Sequence, residues 1–206
     1  MSANHRQIVF EMAKTDTAKA VDLARKIGDP LYRCQALAMA AWHIGPKAQF
    51  LKVAKEALKA ALELKEPNRI VTFSAWPVRA MVRRGDVNVT ETVTELLGTI
   101  SREPNPVRRA DALFNLFNAV YQAKNLRSVV LRSLLEACRE MKSWKAPLML
   151  SEIAMVLAPE DPKGAEAVIE LIQTQAKQRQ TREAIEKGEH LGPFEFIPYF
   201  MKVPLK

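Results

Sequence analysis

The chain has 206 residues, of which 48% are hydrophobic and 26% charged, and a net charge of +8. That composition excludes a disordered chain and fits a soluble globular one, long enough for a single domain with a sizeable core or for about five helix pairs of roughly 40 residues each. No run approaches the ~20 apolar residues that span a bilayer, and the first residues, charged on both sides of a short apolar patch, lack the cleavage site of a secretory signal, so the expected compartment is the cytoplasm.

His5 to Lys14 reads as a short opening helix, and Thr15 or Asp16 supplies a capping oxygen for a second helix from about Thr17 to Ile27. The third, Pro30 to Ile44, starts with proline in a first-turn position where its missing N–H costs nothing, and Gly45 is expected to close it in a left-handed conformation. Lys47 to Leu64 carries a broad apolar face opposite Lys47, Lys52, Lys55 and Lys59. Its partner, Pro67 to Arg84, stops at Gly85 and contains Pro77, which should kink or split it. Asn88 with Glu91 has the spacing of a capping box for Val89 to Ser101. Pro104 to Ala123 follows, then Leu126 to Met141 capped by Asn125, then about Trp144 to Leu157. Asp161 and Pro162 open a long, increasingly polar helix to about Lys187, and the aromatic, proline-containing stretch 189–206 is not helical.

Pro30, Pro67 and Pro104 are spaced by 37 residues each, and each follows a charged or Gly-containing corner. A fixed period of that size is the mark of a helical array. No convincing strand or hairpin turn is found. The fold expected is all-α, a right-handed stack of antiparallel helix pairs with about ten helices in one domain: an opening helix (1–14), four pairs (15–160), a long helix (161–188) and a tail (189–206).

Two segments carry a family resemblance. Pro30, Arg33, Ala36, Leu37 and Ala40, and again Pro104 or Pro106, Arg109, Ala112, Leu113 and Leu116, resemble the second helix of HEAT-type repeats, and the pattern is also similar to tetratricopeptide-like arrays. The copy at Val71 to Ala75, with Pro77, departs from it. The resemblance spans about residues 17 to 160, names no individual family and carries over no functional residue.

Charge is concentrated in the middle of the chain: the positive excess is +2 over residues 1–46, +8 over 47–145 and −2 over 146–206. Such a field attracts anionic partners and equally keeps a protein dispersed. If the second helix of each pair lines a concave surface, Arg69, Trp76, Arg79, Arg83 and Arg84 from one helix would lie beside Arg108, Asp111, Asn115 and Asn118 from the next. Read as a partner-binding surface, this stripe suits a polar or anionic ligand, with Trp76 available for stacking; read otherwise, it is a solvated face with ordinary ion pairs. Cys34 and Cys138, far apart and outside any CxxC pair, read as reduced core thiols. His5, His43 and His190 form no metal motif, His43 beside Trp42 being read as a capping or packing residue. Neither a phosphate-binding glycine loop nor a nucleophile elbow occurs, and Asp111, the least implausible base, has no evident nucleophile, metal or oxyanion donor beside it.

The expectation is therefore a scaffold without catalysis or cofactor, binding a protein or peptide, with a nucleic-acid-binding array as the alternative. Phe194, Phe196, Tyr199 and Phe200 give the 194–205 tail two readings, a cap on the end of the array or a docking segment for another chain, a second copy included.

Overall fold

The computed structural model describes residues 2–85 and 89–189, and among these it contains eleven helices and no strand. They are α1 (Ser2–Met12), α2 (Thr17–Arg25), α3 (Pro30–His43), α4 (Lys47–Leu62), α5 (Pro67–Arg83), α6 (Val89–Ile100), α7 (Pro106–Ala119), α8 (Lys124–Glu140), α9 (Lys145–Leu157), α10 (Pro162–Ile169) and α11 (Gln175–Glu186). No helix among the described residues is long and apolar enough to cross a membrane. The chain divides into two compact units, Met1–Ser133 and Leu134–Lys206, the boundary falling within α8.

Helix starts follow from side-chain oxygens that accept the free amides of a first turn. Asp16 Oδ1 accepts from the Lys19 amide at 3.1 Å, and Asp29 Oδ1 from the Leu31 amide at 2.9 Å. Asn105 Oδ1 accepts from the Val107 amide at 2.9 Å and Asp161 Oδ1 from the Gly164 amide at 2.9 Å. Pro30, Pro106 and Pro162 each follow their cap directly, so α7 begins at Pro106 rather than Pro104. Asn125 lies inside α8 and caps nothing, because that helix already starts at Lys124. The Asn88 cap falls outside the described residues.

The corners before α3 and α7 are built alike. Arg33 Nη1 donates back to the carbonyls of Ile27 and Gly28 at 3.1 and 3.3 Å, and Arg109 Nη1 donates to the Glu103 carbonyl at 2.8 Å. One arginine thus satisfies acceptors left over at the end of the preceding helix. The corner before α5 has neither device: Glu66 makes no side-chain cap and Ile70 stands where the arginine would be.

In the first unit α1 packs on α3, α3 on α5 and α5 on α7, while α2, α4 and α6 pack between successive members of that row. Connections of a few residues make sequence neighbours antiparallel, so α1, α3, α5 and α7 run the same way. Arg84 at the end of α5 accordingly donates to the carbonyls of Ile44 and Gly45 at the end of α3, the latter at 3.2 Å. Small side chains allow close approach: Cys34, Ala36, Ala40 and Ala41 of α3 and Ala54, Ala57 and Ala61 of α4 are all fully buried. Bulk returns in α7, where Leu116 and Phe117 are fully buried and the Phe117 and Tyr121 rings meet edge to face at 6.1 Å. In the second unit α9 packs on α10 and α11; Ser151 and Thr181 share a buried hydroxyl contact of 2.9 Å, and Arg182 pairs with Glu166.

Three expectations need correction. Pro77 does not split α5, which continues from Pro67 to Arg83. Its missing N–H frees the Phe73 carbonyl one turn back, and the Cys34 thiol donates to that carbonyl at 3.3 Å. Gly45 does not adopt positive φ, whereas Gly85 does at +63°; the residue before a proline is biased toward extended backbone, and Pro46 follows Gly45. The long helix after Asp161 breaks between Ile169 and Gln175, where Ile172 is buried and its carbonyl accepts from Gln178 Nε2 at 2.7 Å.

Candidate partner-binding surface

The nine residues that spacing groups into one stripe do not share one environment. On α5, Arg69 is exposed and pairs with Glu66 at 3.3 Å. Trp76 is buried, 8% exposed, with its ring centroid 6.0 Å from that of Phe10. Phe10 of α1 thus packs on Trp76 of α5, and the ring is covered within the first unit.

Arg79 and Arg83, one turn apart, both approach Trp42 at the end of α3, at 5.8 and 4.1 Å from the ring centroid. Arg84 turns the other way, capping the end of α3 and lying 5.2 Å from the Phe50 ring centroid, so its work is structural. On α7, Arg108 and Asp111 are exposed and Asn115 is half-buried, its Nδ2 donating to the Asp111 carbonyl at 2.7 Å. Asn118 is buried at 6% exposure and donates to the Phe114 carbonyl at 2.9 Å. The exposed part of the stripe therefore reduces to Arg69, Arg83, Arg108 and Asp111, with Arg79 and Asn115 at its margin.

A second grouping replaces it. Because α1, α3 and α5 run in one direction, their C-terminal ends share an edge, which brings Lys14, just past α1, to His43, the last residue of α3, and Arg83, the last of α5. Partial burial and then the positive charges of Lys14 and Arg83 hold His43 below the ordinary histidine value, so it is neutral at pH 7. Cations are favoured at such ends, by roughly 0.3–1 kcal/mol each, because the last carbonyls carry partial negative charge.

Counter-charge on this edge is sparse. Lys14 pairs with Glu11 at 3.5 Å, both side chains more than half exposed. Arg83 contacts the Trp42 ring and forms no ion pair among the described residues. Elsewhere in the unit, Arg25 holds Glu56 in a two-pronged contact of 2.8 and 3.0 Å that keeps the Glu56 carboxyl below its usual range, and Arg33 holds Glu63.

Among the described residues no three His, Cys, Asp or Glu side chains gather as metal ligands. Cys34 and Cys138 are buried and in no disulfide, and burial pushes the Cys34 thiol up, so it stays protonated and unreactive.

Lys14, Trp42 and His43 were not in the stripe read from sequence. Their signal is the common direction of α1, α3 and α5, which puts last-turn residues of different helices side by side, a relation that spacing along one helix does not display. Compared with known proteins, the chain matches no family model, no curated protein and no solved structure.

Proposed function

We propose that the protein is a non-catalytic helical-repeat scaffold that binds a protein or peptide partner through the positive edge of its first unit. One observation carries this reading: Arg83 sits over Trp42 without an ion-pair partner among the described residues, and its charge and that of Lys14 both act on His43. Like charges gathered on one edge repel one another, and an anionic partner removes that cost.

The test is affinity capture from a cell extract, with and without nuclease, comparing the native chain with Arg83→Glu. A partner that survives nuclease and is lost from the variant supports the reading. Partners retained in full by Arg83→Glu place the contact elsewhere, and partners released by nuclease make the protein a nucleic-acid-binding array instead.

A further inference from the structure

We propose that Arg83, held over Trp42, forms together with His43 and Lys14 on the same edge a recognition site for a short run of Asp and Glu side chains on a protein partner, with Arg83 as its main carboxylate-binding group. The inference rests on the scaffold reading above and names the chemistry of the partner.

Arg83 is pre-positioned. Its guanidinium carbon lies 4.1 Å from the Trp42 ring centroid, and Trp42 is itself half-buried. A guanidinium held over a ring loses less side-chain freedom on binding than a free one, and its fork of N–H donors matches a carboxylate. Lys14 lies in the turn after α1 and His43 ends α3, so the site draws donors from three places in the chain, a spread suited to two or three acidic side chains on an extended peptide, where residues two apart are about 6.6 Å apart.

Nucleic acid fits less well. Single-stranded nucleic acid is bound by stacking bases on exposed aromatic faces, and Trp42 is half-buried beneath Arg83, with Arg79 5.8 Å away. Glu11, 3.5 Å from Lys14, interrupts any continuous phosphate track.

Protonation gives the site a signature. His43 is neutral at pH 7 because burial, Lys14 and Arg83 oppose its charge. A bound carboxylate would favour the charged form, so lowering the pH from about 7.5 to about 6 should strengthen binding while Asp and Glu of the ligand remain ionised.

Fluorescence anisotropy with labelled octaglutamate tests this, with octalysine and a sixteen-nucleotide oligothymidylate as comparisons, all at about 50 mM salt where such contacts are least screened. The expected results are octaglutamate binding, at least about ten-fold weaker binding by Arg83→Glu, native affinity for Arg132→Glu on the exposed face of α8, and a pH effect lost in His43→Gln. Arg83→Gln, which keeps a polar group over Trp42, should give an intermediate loss if the variants share the native circular dichroism. Equal losses for Arg83→Glu and Arg132→Glu would reduce the effect to diffuse charge and overturn the site. Tighter, Arg83-dependent binding of the oligothymidylate would reassign it to nucleic acid. Octaglutamate failing to bind, while capture from extract still depends on Arg83, would sink the acidic-segment inference and leave the scaffold reading standing; if neither depends on Arg83, both fall.

Discussion

Replacing Cys34 by alanine should cost much more when Pro77 is present than when it is absent. Proline at 77 leaves the Phe73 carbonyl without its intrahelical donor, and the Cys34 thiol, fully buried and 3.3 Å away, supplies one. Burial keeps that thiol protonated at neutral pH, so the donor is present. Cys34→Ala removes a buried sulfur, about 1 kcal/mol of packing, and strands a partly buried acceptor, about 1–2 kcal/mol more. In a Pro77→Ala background residue 77 regains an N–H for the Phe73 carbonyl, and only the packing loss remains. The double-mutant cycle should therefore show a coupling of about 1–2 kcal/mol. Urea unfolding in a Trp144→Phe background measures it, since the remaining tryptophans, Trp42 and Trp76, both lie in the first unit. Cys34→Ser, which keeps a donor, should lose less than Cys34→Ala. A coupling below about 0.5 kcal/mol, the ordinary additivity error, would refute the idea that the thiol replaces the amide that proline lacks.

Two further outcomes follow from the corners and the surface. Arg33→Met keeps the aliphatic stem but loses the donor shared by the Ile27 and Gly28 carbonyls as well as the Glu63 pair, and should cost about 2 kcal/mol, against about 0.5 kcal/mol for Glu63→Gln; equal losses in urea unfolding would mean that the arginine acts only as an ion-pair partner. Glu56→Gln should cost about 0.5–1 kcal/mol at pH 7, since both partners are substantially exposed. The Glu56 carboxyl is lowered in the folded chain, so its contribution is present above the unfolded value of about 4.3 and is lost as pH falls through the folded value. Native and variant stabilities should converge as the pH falls through that folded value, and a gap that stays constant across the acid range would assign the loss to packing.

Much of the architecture was legible because capping chemistry is local. Asp29-Pro30 and Asp161-Pro162 announce their helices with a short acceptor followed by a residue that needs no amide donor. Asn105-Pro106 does the same, but the regular 37-residue spacing favoured Pro104 and put the start of α7 two residues early. The break after Ile169 left no such mark: Ile172 continues the helical spacing of Val168 and Ile169, and the Gln178 side chain that takes its carbonyl is an ordinary helix former in sequence. The stripe on α5 was visible as a period, yet a period states which residues share a face, not what covers it. Trp76 is covered in part by Phe10 of α1, a contact across 66 positions of sequence that no local pattern encodes. Arg83 was legible as a surface cation; its company was not, since Lys14 and His43 come from other helices.

The positive edge itself can be measured without a partner. The chain has three histidines, so NMR titration assigned with His43→Gln gives the His43 pKa in the native chain, Lys14→Gln and Arg83→Gln. The native value should lie below the ordinary value of about 6.5, and each neutralised cation should raise it. A native value at or above the ordinary one, unmoved by either substitution, would show that these three side chains do not share a field and would remove the basis for a binding edge there.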